Sequence, residues 1–273
     1  MLPPSLQQSL RDHLGPFDLH SIAGGDIHQA YRVESSTGVF FLKSHNRAPA
    51  HLFQREADGL AAIGAADPGL VPKVEAIHKH GLLLEWLHLK PGLAGAACGA
   101  ALARLHRAPA AAWGGQADNF LGTLRQQQPS CASWAALFGE FRLLPLAEGC
   151  PGPLRSAVEQ LIPRLPNLLD DLDPPCHVHG DLWGGNASLR IDGRPVLFDP
   201  AHATAHRELD LSMSLLFGGF SPAFYTAYED SYPLQFGWRE RVPLHQLYFV
   251  LAHFHLFGAP YAAQALKIAQ RYL

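Results

Sequence analysis

The sequence predicts an α+β protein in two lobes, a small β-rich N-terminal lobe with one key helix and a larger, mainly helical C-terminal lobe. Three observations predict it. Apolar runs bounded by turn residues crowd the first 88 positions, Ala-rich helical periodicity takes over after Pro91-Gly92, and one strand-like pair interrupts the helices near residues 177–199. The expected lobes are 1–88 and 89–273. The connection near 85–92 reads as a hinge.

The elements follow in order. Leu6, Leu10 and Leu14 at i, i+4 and i+8 predict a short amphipathic helix over 3–14. Ile27–Val33 and Val39–Leu42, joined by SSTG, read as a β-hairpin, with a further turn at Gly24-Gly25 before it. APAHLFQREADGLAAIGA has helical spacing and ends at Gly. VPKVEAIHKHGLLLEW gives two more strands around a His-Gly turn. Helical pattern then occupies 93–107, 133–147 and 154–169. HVHGDLWGGNASLRIDGRPVLFD is the strand-like pair, and helices return to the end.

Composition narrows the function classes. Of 273 residues, 48% are hydrophobic and 16% charged, as in a globular enzyme and unlike a disordered chain. The 21 basic and 24 acidic residues leave a net charge of −3, which gives no pull toward nucleic acid or anionic membrane. Cys98, Cys131, Cys150 and Cys176 lack CxxC spacing, which speaks against a zinc site or a disulfide framework. The N-terminus has no signal-peptide pattern, and no apolar run reaches the length of a membrane span. The expectation is a reduced, cytoplasmic protein whose 16 histidines are mainly surface or core fillers.

The chemistry concentrates in HGDLWGGN, residues 179–186. It fits the protein-kinase catalytic loop H-R-D-L-x-x-x-N at each specified position except that Gly180 stands for Arg. The spacing of Asp181 and Asn186 lets the Asp accept a proton from a substrate hydroxyl while the Asn holds Mg²⁺. A Gly-rich turn with good turn residues reads equally well from this loop alone. Downstream, PVLFDPA ends a strand in Asp199, the place of the Mg²⁺-binding Asp that follows such a catalytic loop. A turn residue before Pro200 is the plain alternative. Upstream, Lys43 ends the strand VFFLKSH and Glu56 lies inside the next helix. Each alone reads as a solvated side chain, but their order before Asp181, Asn186 and Asp199 is that of a phosphoryl-transfer site. Gly24, Gly25 and Asp26 in AGGDIHQAY depart from GxGxxG. They read either as a phosphate-approaching loop or as a plain tight turn.

Together GGDIHQAYRV, FFLKSH, LLLEWL, WGGQADNFLGTL, HGDLWGGN and HRELDLSMSLLFGGF resemble the fructosamine kinase family over about residues 20–273. The resemblance implies a protein-kinase-like fold, ATP and Mg²⁺, and phosphorylation of the 3-hydroxyl of ketosamines, the sugar–amine adducts of small molecules or of glycated protein lysines. Such phosphorylation destabilises the adduct and so serves deglycation. It implies Asp181 as proton acceptor, Asn186 and Asp199 on Mg²⁺, and Lys43 with Glu56 as the phosphate-positioning pair. It also implies Glu85, Trp86, Leu87 and His88 as the adenine hinge, and Asp210 as a structural support of the catalytic loop. Asp26 stands where some members carry a loop Cys, which argues against redox-controlled dimerisation there; a monomer or weak dimer is expected.

Asp118, Asn119, Phe120 and Trp183 are the candidate sugar contacts. Helix-capping for ADNF and plain packing for Trp183 are the alternatives. His206 and Arg207 read as surface residues rather than an anion site. Gly184 and Gly185 are expected to leave room beside Asp181 for the substrate. The competing functions are an aminoglycoside-, choline- or homoserine-type phosphotransferase, and a nucleotide-binding pseudokinase; the presence of Lys43, Asp181, Asn186 and Asp199 argues against the pseudokinase.

Overall fold

The computed structural model describes residues 2–22, 28–169 and 173–273. The N-terminal region runs α1 (Pro4–Leu14), β1 (Phe17–Ile22), β2 (Gln29–Ser35), β3 (Gly38–Ser44), α2 (Leu52–Ala66), β4 (Val74–His78) and β5 (Gly81–Glu85). The chain continues through β6 (Leu89–Lys90), α3 (Ala96–Arg107), β7 (Asn119–Leu121), β8 (Leu124–Gln126), α4 (Trp134–Phe138), α5 (Leu144–Ala147), α6 (Gly152–Leu161) and α7 (Leu165–Leu169). It closes with β9 (Cys176–Val178), β10 (Ala187–Arg190), β11 (Pro195–Leu197), β12 (Ala203–Ala205), α8 (Glu208–Phe217), α9 (Pro222–Ser231), α10 (Trp238–Phe257) and α11 (Pro260–Gln270).

The first sheet is antiparallel, in the order β1-β2-β3-β5-β4. Strand alternation sorts its two faces. Leu42 on β3 joins Tyr31, Val33 and Leu83 against Leu6, Leu10 and Leu14 of α1. Leu82 and Leu84 of β5 instead meet Phe53, Ala57 and Leu60 of α2. Lys43 follows Leu42 and is paired in register with Leu82, so its side chain falls on the α2 face.

The expected helices are all present, with three differences of detail. The helix around Glu56 runs past Gly64 to Ala66, because its apolar face continues to Ile63 against the core. The 133–147 segment breaks its ladder into a π-turn at Gly139–Leu143 between α4 and α5. The 154–169 segment tightens to a 3₁₀ turn at Ile162–Arg164 between α6 and α7. Four short pieces of sheet fall outside the expected elements, among them β6 in the expected hinge. β1 carries polar residues on nearly every exposed position, burial of its side chains being slight. The β7–β8 hairpin and β12 are three residues per strand, too short for an alternation signal.

The C-terminal region is mainly helical and is built around two clusters. One joins α4 to α7 with α10 and α11. The other packs α3 against α9, and Gly99 is the contact point: a Cβ there would lie 2.0 Å from the Phe224 carbonyl oxygen. β6 pairs with β10 in a three-stranded sheet, so the chain is already hydrogen-bonded to the C-terminal region by Leu89.

Among the described residues no helix is long and apolar enough to cross a membrane, and the four cysteines are free thiols. Gly99→Ala should lower the unfolding free energy by about 1–3 kcal/mol, because the backbone of α9 must shift to admit one methyl group. A denaturant melt reads this directly, and an unchanged midpoint would contradict the close helix contact.

Candidate active site

Lys43 is the hub of the site. Its ammonium lies 2.9 Å from Glu56 Oε2 and 3.1 Å from Asp199 Oδ1. Lys43 and Glu56 are both buried. Burial acts to lower the Lys43 pKa, but the Asp199 and Glu56 carboxylates outweigh it and hold the ammonium well above its ordinary value. Burial pushes Glu56 above the ordinary carboxylate range, against the pull of Lys43. Burial likewise works against the charge of Asp199, yet Lys43 keeps that carboxyl below its ordinary value. Asp199 adopts φ +58°, a left-handed conformation uncommon outside glycine, at the bend before Pro200.

The catalytic-loop candidate is held from below by one carboxylate. Asp210, fully buried on α8, accepts the His179 N–H at 2.7 Å and the Gly180 N–H at 2.8 Å. Its Oδ2 also lies 3.1 Å from His106 Nε2. Burial opposes its ionisation, but the His106 hydrogen bond and these N–H groups hold it below the ordinary carboxylate value. The absence of Arg at position 180 has a steric reason. Gly180 has φ +83°, and a Cβ there would lie 2.0 Å from the Ala201 carbonyl oxygen.

Asp181 projects from this loop with its carboxyl raised to about 7, first by burial and then by the Asp199 charge. Asn186 donates its side-chain N–H to the Asp181 carbonyl at 2.9 Å and to Asp181 Oδ2 at 3.2 Å. Both bonds use Nδ2, which leaves Oδ1 as the free ligand atom. The amide oxygen of Asn186 and the carboxylate of Asp199 are the hard donors that Mg²⁺ prefers.

One cavity of about 860 Å³ collects these groups: Lys43, Glu56, Asp181, Asn186 and Asp199 line it, with Asn119, Phe120 and Trp183. Asp118 does not. Its carboxylate is taken by Arg125 at 2.6 Å and by the Gln128 N–H at 2.9 Å, in the hairpin rather than as a helix cap. Asn119 also spends its polar atoms internally, donating to the His202 carbonyl at 2.5 Å and accepting from Gln126 at 2.7 Å. Glu85 turns away from the cavity to Arg190 at 2.7 Å, and Trp86 lies under the Arg32 guanidinium. None of Glu85, Trp86, Leu87 and His88 lines this cavity. Gly24, Gly25 and Asp26 lie outside the described residues.

Two expectations are corrected. Gly184 and Gly185 do not leave room for a substrate. A Cβ at 184 would lie 2.5 Å from Gly219 Cα, and one at 185 would lie 2.2 Å from the Trp183 ring, so each space is already filled by the protein. His206 and Arg207 are not at the surface; both are buried, with Arg207 on Asp173 at 2.9 Å. His206, Glu208 and His245 come together in the grouping of a metal site, but their hydrogen bonds occupy the acceptor nitrogens and the carboxylate that an ion would need. His206 Nδ1 accepts the Glu208 N–H and His245 Nε2 accepts the Trp134 indole N–H, while Glu208 is taken by Arg241.

Pattern reading misses the rest of the lining, including His28, Arg55, Phe217, His253, Phe257 and Tyr261. His28 meets His45 edge-on and lies tilted against Phe53, and burial and then the Lys43 charge lower its pKa to about 3. The LLFGGF glycines were the available signal for Phe217, since Gly219 must meet Gly184 backbone to backbone.

The sequence pattern of the fructosamine kinase family matches residues 4–273. A probable ketoamine kinase of Enterococcus faecium is 36% identical over 261 residues, which cover 92% of this chain and 94% of the relative. A chloroplastic protein-ribulosamine 3-kinase of Oryza sativa subsp. indica is 32% identical, over 93% of this chain and 78% of its own. A crystal structure from Thermobifida fusca, provisionally named a fructosamine-3-kinase, superposes with TM-score 0.87 at 32% identity, over 97% of both chains. The aminoglycoside phosphotransferase of the gentamicin-APH(2")-IIa complex shares the fold, at TM-score 0.69 and 12% identity, over 100% of this chain and 97% of its own.

Asp210→Ala should cost about 3 kcal/mol of stability, because two buried N–H groups lose their acceptor. Thermal and denaturant melts test it, and a loss below about 1 kcal/mol would show that the loop does not hang on this carboxylate.

Proposed function

Because the chain belongs to the fructosamine kinase family, we propose that it phosphorylates the 3-hydroxyl of ketosamines with ATP, in small molecules or on glycated lysines, and so acts in deglycation. The observation that supports the reading best is the single cavity shared by Lys43, Glu56, Asp181, Asn186 and Asp199. The lobe boundary on this reading follows residue 88, and the place of work is the cytoplasm.

The chemistry divides among the chain's own residues. Asp181 accepts the proton of the sugar hydroxyl as its oxygen attacks the γ-phosphorus and the bond to the β-phosphate oxygen breaks. A carboxyl raised to about 7 is a better matched base at neutral pH than an ordinary aspartate. Lys43, fixed by Glu56, presents its ammonium to the phosphates. Asn186 and Asp199 would hold Mg²⁺, which supplies charge neutralisation at the transferring phosphoryl group. Trp183, 41% exposed at the cavity, offers an aromatic face to the sugar.

Two experiments test the reading. Asp181→Asn should lower kcat for phosphoryl transfer by about a hundredfold or more while nucleotide affinity stays near that of the parent; retained turnover removes Asp181 as the base. Incubation with ATP and Mg²⁺ across fructosamine, ribulosamine, erythrulosamine, choline and an aminoglycoside should consume ATP only with the ketosamines. Turnover confined to choline or the aminoglycoside would move the chain to the other phosphotransferase classes.

A further inference from the structure

The cavity changes character away from the catalytic carboxylates. Phe217 ends α8, His253 and Phe257 lie in the last turns of α10, and Tyr261 opens α11. These rings form one contiguous wall: His253 stands 4.7 Å from Phe217, 5.3 Å from Phe257 and 5.2 Å from Tyr261, ring centre to ring centre. His253 and Phe257 are one turn apart and share a helix face. Gly258, at φ +93°, then turns the chain so that Tyr261 joins them.

The wall is unfinished as a core. Phe217 remains 43% exposed and Phe257 44% exposed, although both lie against other rings. The His253 ring belongs to the wall as an uncharged aromatic. Its Nδ1–H donates to the Phe249 carbonyl at 2.8 Å, and burial lowers its pKa. The cations that line the cavity are committed elsewhere. Lys43 is held by Glu56 and Asp199, and Arg55 by Asp58 at 2.6 Å.

Position ties this wall to the reacting atoms. Phe217 is followed by Gly218 and Gly219, and Gly219 packs backbone to backbone on Gly184 of the loop that carries Asp181. In a ketosamine the nitrogen sits on C1, two carbons from the 3-hydroxyl. With that hydroxyl at Asp181, the amine substituent leaves the sugar within reach of the same cavity's rings.

We infer that the Phe217–His253–Phe257–Tyr261 wall is the subsite for the amine substituent, and that it favours apolar, aliphatic or aromatic substituents over those bearing a carboxylate. This rests on the ketosamine reading above. An apolar group gains by covering half-exposed rings, whereas a carboxylate loses hydration there and, among the described residues lining the cavity, meets no Lys or Arg without a carboxylate partner. Ketosamines of one sugar differ only in the amine substituent, so discrimination among those falls to this wall.

The test compares two adducts of one sugar, the fructosamines of benzylamine and of glycine. The parent enzyme should favour the benzylamine adduct in kcat/KM by about tenfold, chiefly through KM. Phe257→Ala and Phe217→Ala should each bring that ratio toward one, and Phe257→Leu replaces the alanine variant if a melt shows it unfolded. Equal kcat/KM for the two adducts, or a ratio that both variants preserve, overturns the subsite while leaving the ketosamine reading intact. Turnover of neither adduct overturns both.

Discussion

The ammonium of Lys43 joins three parts of the chain that are far apart in sequence. It lies on the central strand β3, contacts Glu56 on α2, and reaches Asp199 beyond β11. A buried ammonium needs charged partners, because its desolvation costs more than any single hydrogen bond returns. The pairing therefore constrains the whole molecule. α2 must dock with Glu56 inward, the sheet must place Lys43 on the α2 face, and the two regions must approach closely enough for Asp199 to complete the triad. Gly59 in the middle of α2 serves the same approach, since a Cβ there would come within 2.9 Å of His202 Cβ.

A second buried charge organises the other side of the site. Asp210 binds two consecutive backbone N–H groups at the start of the His179–Asn186 loop and reaches His106 on α3, whose Nδ1 lies 2.8 Å from the Tyr228 hydroxyl on α9. Loop, α8, α3 and α9 are thus one hydrogen-bonded unit. Lys43 and Asp210 act on Asp181 from two directions. The first sets the charge that faces it through Asp199, and the second sets where its backbone lies.

What could be read from the sequence follows from the range of the interactions concerned. Helix and strand periodicity are local, so α1, α2 and the β2–β3 hairpin are legible at near their observed bounds. Lys43, Glu56, Asp181, Asn186, Asp199 and Trp183 stand out by order and spacing, and the structure brings them to one cavity. β1 is hidden because an edge strand with FDLHSI buries little on either face. The bonds of Asp118 and Asn119 are hidden because their partners lie in a hairpin of three-residue strands and in the stretch after Asp199. Gly184 and Gly185 show the limit most clearly. A glycine announces that something comes close, but whether that is a ligand, another backbone or the neighbouring indole is settled only by the fold.

The same limit accounts for the aromatic wall. Phe217, His253, Phe257 and Tyr261 carry no motif, and three helix ends must converge before they touch. Beside Phe217, the Gly184–Gly219 contact leaves no space for a side chain on either strand of the crossing. A methyl group on either glycine would push the Phe217 end of α8 away from the loop of Asp181. At this crossing the Phe217 end of α8 is therefore placed against the Asp181 loop by backbone-to-backbone packing and not by side chains that can adjust. On the proposed reading, such packing keeps Phe217 at a fixed place beside the Asp181 loop, which suits an acceptor whose hydroxyl and distal substituent are separated by a short, constant stretch of covalent bonds.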